Sequence, residues 1–319
     1  MTPRFLMERS DRLRMTLDGP QAKAALNGLL TNEVIALAEG GGQYAAALTA
    51  KGRVLALCRV MDRGRDLLVD TEAAAAEGFV AMITKYVNPR LARYAVITEA
   101  TGCLGVRGAG AAVAIATWGG VDPEALERLA PLGGCWVTPG EPRLWVVRAR
   151  DTATPGFDCI GDRATITALR DTLQAAGWPM ATAAQLLAER IAAGVPAFGI
   201  EMTDETIAQE ACLDTLGAIS FAKGCYTGQE VVARIHFRGH VNRLLRWIDS
   251  PTPLAAGAVL VNSEGAEVGE VRSSVLRGSG EAIGIAMVRR EIVPGTTLAA
   301  RDAEGGTAAS VTVREIQVV

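Results

Sequence analysis

A strand, a glycine turn and an alanine-rich helix occur twice in this chain of 319 residues, and that repeat limits the folds open to it. Leu13-Arg14-Met15-Thr16-Leu17 alternates as a strand does, Asp18-Gly19-Pro20 turns, and residues 21–26 form a helical stretch closed by Asn27-Gly28. Residues 103–113 follow the same order, with glycines at 105, 108 and 110 leading into an alanine run. The first copy continues into two strands flanking a turn at Lys51-Gly52, a further strand at residues 67–70, and a helix over residues 72–86 that Asn88-Pro89 ends. The second copy continues into a strand at residues 145–147 and a helix at residues 165–176. The expected fold class is therefore α+β: two related α+β units, at about residues 1–99 and 100–238, forming one body.

From about Leu244 the pattern changes to short strands at regular spacing. Residues 259–261 and 267–271 read as a hairpin around Asn262-Ser263-Glu264-Gly265. Residues 282–288 and 310–319 alternate, with turns at Pro294-Gly295 and Gly305-Gly306. This predicts a small C-terminal β-barrel domain over residues 239–319. A hydrophobic fraction of 49% with 21% charged residues is enough to bury real cores. The net charge of −3 leaves no global basic field for a phosphate backbone, although Arg234, Arg238, Arg243 and Arg246, with His236 and His240, concentrate positive charge locally. The glycines between 102 and 110 lack a fitting G-x-G-x-x-G and the acidic partner of a dinucleotide loop.

The first residues hold no apolar signal core and no run is long enough to span a bilayer, so the expected location is the cytoplasm, without membrane partners. Six cysteines without a C-x-x-C pair argue against a zinc ribbon or a disulfide framework, and most are expected to be buried. Leu186 to Ala193 reads as a helix, stopped at Gly194-Val195-Pro196. The following residues 198–220 have no period but carry Glu201, Asp204, Glu205, Gln209, Glu210 and Asp214, and are expected to line a site.

The densest chemistry lies in Lys223-Gly224-Cys225-Tyr226-Thr227-Gly228-Gln229-Glu230. Thr227-Gly228-Gln229-Glu230 has the form of a capping box, so a helix is expected to begin near Gly228 with Cys225 and Lys223 just before its positive end. A helix dipole and an ammonium both favour thiolate, which marks Cys225 as the candidate reactive thiol. Gly224 and Gly228 read as backbone requirements. His236 and His240 are spaced i, i+4, but Gly239 between them weakens the helix, and no metal site is expected.

This run resembles the K-G-C-Y-x-G-Q-E signature of the YgfZ-type folate-binding proteins, relatives of the glycine-cleavage T-protein. Leu17-Asp18-Gly19-Pro20-Gln21-Ala22, Leu30-Thr31-Asn32-Glu33-Val34, Gly52-Arg53-Val54-Leu55 and Gly194-Val195-Pro196-Ala197-Phe198-Gly199 are also similar to strings of that family. The resemblance implies two α+β units and a barrel around a central folate pocket, with tetrahydrofolate as cofactor. It further implies a role in iron–sulfur cluster assembly or maintenance, with iron–sulfur client or assembly proteins as partners, including radical enzymes that modify tRNA. Candidate folate-binding residues are Lys223, Tyr226, Gln229, Glu230 and Arg234, with Glu201 and Glu210.

Two departures qualify the resemblance. The T-protein transfers an aminomethyl group to tetrahydrofolate with an acid on the strand that here reads Gly52-Arg53-Val54-Leu55-Ala56-Leu57, and no carboxylate stands at Ala56 or Leu57. Relatives also carry R-[IL]-E-A-G, whose Glu can pair with the pterin, where this chain has Arg190-Ile191-Ala192-Ala193-Gly194. Glu201 or Glu210 is the expected replacement. The alternative reading is a tetrahydrofolate-dependent aminomethyltransferase, and a third is an RNA-binding surface at Arg234, Arg238 and Arg243.

Overall fold

The computed structural model describes residues 3–137, 143–278, 280–301 and 307–317. The first part of the chain forms β1 (Phe5–Glu8), β2 (Leu13–Asp18), α1 (Ala22–Leu29), β3 (Gly42–Leu48), β4 (Val54–Asp62), β5 (Leu67–Thr71), α2 (Ala76–Tyr86) and β6 (Arg93–Val96). Next come β7 (Thr101–Arg107), α3 (Ala111–Gly119), α4 (Pro123–Glu127), β8 (Gly134–Trp136), β9 (Trp145–Arg148), β10 (Gly156–Asp162) and α5 (Arg163–Ala175). Two further helices, α6 (Ala183–Ala193) and α7 (Gln229–Arg238), precede β11 (Arg243–Ser250), β12 (Val259–Val261), β13 (Glu267–Leu276), β14 (Ala282–Arg289), β15 (Thr297–Arg301) and β16 (Thr307–Arg314).

The repeat read from the sequence appears in the connectivity. One five-stranded sheet has the order β3-β4-β5-β2-β6, and the other β8-β9-β10-β7-β1. Strands β2 to β5 thus correspond to β7 to β10. The edge position beside β2 is filled by β6, which follows α2, whereas the edge beside β7 is filled by β1 from the start of the chain. The unit drawn as residues 1–99 therefore gives its first strand to the second sheet. The last six strands close a barrel in the order β11-β14-β13-β12-β15-β16, with β16 returning to β11. The turn expected at Gly305-Gly306 and the last two residues of the strand expected to Val319 lie outside the described residues.

Side-chain alternation sets the layers. On β4, Ala56, Cys58 and Val60 pack with α1 and α2, while Leu57, Arg59 and Met61 point the other way. On β10, Phe157 and Cys159 pack with α3 and α5, while Asp158 and Ile160 face the first sheet. The body is a helix–sheet–sheet–helix sandwich. Met61 and Leu68 of one sheet meet Cys103, Trp145, Val147 and Ile160 of the other in a shared apolar cluster.

Beside that cluster the sheets are joined by charge. Arg59 donates from Nε to Asp70 at 2.9 Å and crosses the interface from Nη1 to Asp158. Arg107 holds Asp158 at 2.6 Å, Arg12 holds Asp70 at 2.6 Å, and Arg9 pairs with Asp151. Asp70 and Asp158 occupy corresponding strands, β5 and β10, and both are fully buried. Burial alone would raise the Asp70 carboxyl, but the charges of Arg12 and Arg59 and their hydrogen bonds outweigh it and bring it down to about 2.

Residues 198–220, expected to line a site, form a core strap for most of their length, and of them Ile200 lines a cavity between the two sheets. Met202, Ala208, Ala211, Leu213, Leu216 and Ala218 are buried in a cluster that also holds Leu48 and Val54 of the first sheet, Ile191 of α6, Val232 of α7 and Ile285 and Met287 of the barrel. Hydrogen bonds anchor the strap, from Val54 N–H to the Thr206 carbonyl at 2.9 Å and from Gln209 Nε2 to the Val232 carbonyl at 2.8 Å. The strap fills the space among the first sheet, α6, α7 and the barrel, which none of the four could close alone.

The charge network makes stability depend on acid. Asp70 titrates lower in the folded protein than in the unfolded chain, so its contribution is complete above about pH 4 and is lost as pH falls through about 2. Denaturant melts between pH 6 and pH 2 should show a loss over that lower window, about 2 kcal/mol of it from Asp70. Asp70→Asn should be less stable at pH 6 and show a flatter profile below pH 4. An unchanged profile would show that the pairing does not stabilise the fold.

Candidate functional site

The signature folds as a tip held between two anchors. Lys223 Nζ donates to the carbonyls of Asn27 at 2.6 Å, Leu30 at 2.7 Å and Asn32 at 2.9 Å. Those acceptors lie at and just beyond the end of α1, so the ammonium closes a helix terminus whose carbonyls would otherwise be orphaned. Burial brings Lys223 down to about 8, opposed by Glu33. Tyr226 is buried in the strap's core, its ring 5.1 Å from the Lys223 ammonium, and burial raises its phenol to about 12. Between these anchors Gly224 and Cys225 are exposed.

Helix α7 starts where expected, for a different reason. Its cap is Gly228 at φ 84°, and no side chain caps it, so the capping box of Thr227 and Glu230 is not formed. A Cβ on Gly228 would lie 2.6 Å from the Thr49 carbonyl oxygen, because the β3–β4 turn packs directly against this helix start. At Gly224 a Cβ would meet nothing within 4 Å, so no backbone requirement holds there. Gln229 is half-buried, while Glu230 and Arg234 are exposed on α7.

Of the other cysteines, Cys58, Cys103, Cys159 and Cys212 are buried and Cys135 is half-buried. Burial pushes the Cys103 thiol up to about 12 and the Cys212 thiol up to about 11. Cys225 is the exposed one. His236 lies on α7 stacked on Phe221, with ring centres 3.6 Å apart, whereas His240 lies beyond the helix end at Gly239. Among the described residues, no three His, Cys, Asp or Glu side chains gather to hold a metal ion. No helix among them is long and apolar enough to cross a membrane.

A second candidate site lies between the two sheets. A cavity of about 340 Å³ is walled by apolar Leu57, Leu186, Leu187 and Val195 and by polar Arg12, Tyr44, Arg59, Glu72, Asp151 and Arg190. Tyr44 Oη and Arg59 Nη2 are buried and make no hydrogen bond. Such groups lose the hydrogen bonds that water would give them, so they favour an occupant with matching polar atoms. This combination of apolar walls and a few fixed polar groups is the usual character of a small-molecule site. Leu57, where a transfer acid is expected, lies on the wall as an alkyl side chain.

None of the signature residues lines this cavity. Tyr226 and Val232 instead share an apolar cluster with Tyr44, Leu57 and Val195 of its wall. The two expected replacement acids are already engaged. Glu201 accepts from Arg190 at 2.7 and 2.9 Å, from the Ala197 N–H at 2.7 Å and from Ser273 of the barrel. Glu210 accepts from the Ile207 N–H at 3.0 Å and from Arg243 at 2.9 and 3.3 Å. Both carboxylates lock the strap to its neighbours, and Arg243 is thereby separated from exposed Arg234 and Arg238. Ala192 borders a different, smaller space of about 130 Å³ shared with Trp247, Ile248 and Ile283.

The cavity is not apparent from the sequence because its polar residues come from β3, β4, the ends of β2 and β5, a loop before β10, and α6. The available signal was Arg59 inside the run Val54-Leu55-Ala56-Leu57-Cys58-Arg59-Val60-Met61, where both strand faces are otherwise apolar and a charge must be buried and paired.

The two glycines should separate. Gly228→Ala should cost about 1–3 kcal/mol in chemical denaturation, from the left-handed backbone and the Thr49 contact. Gly224→Ala should stay within about 0.5 kcal/mol of wild type. Equal losses would refute the anchored-tip geometry. In native protein treated with a maleimide, mass spectrometry should find Cys225 labelled first, with Cys58, Cys103, Cys159 and Cys212 labelled only after unfolding; early labelling of those four would contradict their burial.

Comparison with known proteins places this geometry in a family. Residues 5–221 match the GCVT N-terminal domain family, and residues 242–317 match the CAF17 C-terminal beta-barrel domain. The tRNA-modifying protein YgfZ of Serratia proteamaculans is 30% identical over 251 residues, covering 77% of this chain and 71% of that protein. The tRNA-modifying protein YgfZ of Escherichia coli K12 is 30% identical over 257 residues, covering 77% and 72%. Among solved structures, the glycine cleavage system aminomethyltransferase T of Bartonella henselae superposes with a TM-score of 0.87 at 19% identity, covering 99% of this chain and 86% of that one, a likeness of fold. With both domain matches and these relatives spanning most of its length, the chain belongs to the YgfZ-type family of folate-binding proteins related to the glycine-cleavage T-protein.

Proposed function

We propose that this protein is a folate-binding accessory factor in the assembly or maintenance of iron–sulfur proteins, supporting enzymes that modify tRNA, and that it does not transfer aminomethyl groups. The observation that carries the reading is the cavity between the sheets. It keeps polar groups without partners, Tyr44 Oη and Arg59 Nη2, while presenting Leu57 where the transfer reaction needs an acid. Tetrahydrofolate, when bound, supplies ring and bridge nitrogens that carry one-carbon units. Arg12, Tyr44, Arg59, Glu72 and Arg190 would hold its polar groups, and Leu57, Leu186, Leu187 and Val195 would cover its ring faces. With no carboxylate at Ala56 or Leu57, the wall there can shield a bound ligand from water but cannot exchange a proton with it.

Cys225 is the reactive residue of this reading, a nucleophilic thiol presented to a client on a tip whose flanks are fixed by Lys223 and Tyr226. Exposure of this thiol beside four buried ones supports that role. The work of the protein would be done on the client surface at Cys225, with the folate cavity connected to it through the apolar cluster of Tyr44, Leu57, Tyr226 and Val232.

Titration with tetrahydrofolate, followed by calorimetry, should give saturable one-to-one binding, and a competent aminomethyl-lipoyl carrier should yield no folate-dependent ammonia. In a strain lacking its own YgfZ-type protein, the wild-type chain should restore iron–sulfur-dependent tRNA modification and Cys225→Ser should not. Ammonia release at enzymatic rates would overturn the non-transferase reading, and equal rescue by Cys225→Ser would remove the thiol from the mechanism.

A further inference from the structure

Four carboxylates line the cavity between the sheets, and they differ in what already occupies them. Asp151 is held by Arg9, with Arg107 at 3.5 Å and Arg59 at 3.8 Å. Glu8 accepts from the N–H groups of Arg9 at 3.1 Å and Ser10 at 3.0 Å. Asp11 is exposed to solvent. Asp151 Oδ1 makes no hydrogen bond but that carboxylate lies among three guanidiniums, and Glu8 faces solvent with Arg170 at 3.6 Å, whereas Glu72 is sheltered and has one guanidinium near it. Its side chain is 23% exposed, Oε2 accepts the Phe198 N–H at 3.1 Å, and Oε1 has only a 3.5 Å contact with Arg12 Nη1.

The position of Glu72 explains why it is open. It ends the segment leaving β5 and precedes a 3-10 turn, Ala73–Ala75, which it does not cap. Its side chain instead joins the cavity wall beside Arg12, Tyr44 and Arg190. Burial raises its carboxyl, with Arg12, the Phe198 N–H and Arg190 opposing. A sheltered carboxylate whose Oε1 has only a long contact and whose Oε2 keeps a second lone pair suits a partner that offers two adjacent N–H donors, one to each oxygen, and charge-assisted bonds of this kind are the strong ones. The Arg12 guanidinium next to it suits a carbonyl acceptor on the same partner. Side by side, the pair complements a 2-amino-4-oxo pyrimidine edge.

We infer that Glu72 is the residue that reads the amino-pyrimidinone edge of the bound heterocycle, taking over from α6, where Ala192 offers no acceptor and borders a separate space. This rests on the folate reading above and assigns the orientation within the cavity: the heterocycle lies toward β5 and the 3-10 turn. Recognition moves from a helix residue to the end of a strand that the buried Asp70 and Arg59 already fix.

Tetrahydrofolate and its 2-desamino analogue, titrated by calorimetry into wild type, Glu72→Gln and the control Glu124→Gln, test the assignment. Glutamine keeps an oxygen for the Phe198 N–H but turns a donor toward the ligand. Wild type should prefer tetrahydrofolate over the analogue by roughly tenfold or more, as expected for hydrogen bonds to a charged group. Glu72→Gln should bind tetrahydrofolate roughly tenfold more weakly and lose most of that preference, while Glu124→Gln, an exposed α4 residue away from the cavity, matches wild type. Tetrahydrofolate binding with the preference intact in Glu72→Gln would overturn the assignment and leave the folate reading standing. Failure of wild type to bind tetrahydrofolate at all would overturn both. Near-ultraviolet circular dichroism and melting of each variant check that the fold is kept.

Discussion

The rest of the body depends on the Arg59 guanidinium, which touches Asp70 within its own sheet and Asp158 across the interface. Two sheets packed face to face could bury apolar side chains alone, as Met61, Leu68, Trp145 and Ile160 do on one side. On the other side they hold charges, and burying those is tolerable only because each has partners with directional bonds. Truncating one member would strand the others, so the network fixes the spacing of the sheets and prevents the cavity beside it from collapsing. The fold therefore keeps a polar-floored space where a fully apolar interface would close.

A second constraint follows from the strap over residues 198–220. It has no regular secondary structure of its own, yet it carries the buried side chains that join the first sheet, α6, α7 and the barrel. Its two buried acidic residues are structural: Glu201 clamps Arg190 and Ser273, and Glu210 clamps Arg243. The signature is fixed by the same economy of contacts. Lys223 binds three carbonyls, Gly228 admits the Thr49 carbonyl, and the exposed pair Gly224 and Cys225 remains outside. The motif's chemistry is thus divided between residues that hold it and the thiol that they present.

Much of this was legible in the sequence, for local reasons. Alternation along residues 13–17 and 103–107 and the glycine turns after them give the duplicated units, and the spacing of strands after residue 244 gives the barrel. The exchange of β1 into the second sheet was not legible, since an edge strand's partner is set by tertiary packing and not by its own pattern. Thr227 reads as a cap in isolation, and only the proximity of the β3–β4 turn shows that Gly228 does the capping. The cavity was hidden because its wall is assembled from single residues far apart in the chain, of which Arg59 alone, set in an apolar strand run, carries a local sign of burial.

In the proposed function, the paired arginines and aspartates hold open a cavity between the sheets that takes folate, with Glu72 and Tyr44 at its polar end. A crystal structure of the protein grown with tetrahydrofolate tests it most directly. The claim predicts heterocycle density between the two sheets, with its amino edge against Glu72 and with the Tyr44 hydroxyl and Arg59 Nη2 newly bonded. Density on the barrel side of α6 beside Ala192, with the inter-sheet cavity filled only by water, would contradict it.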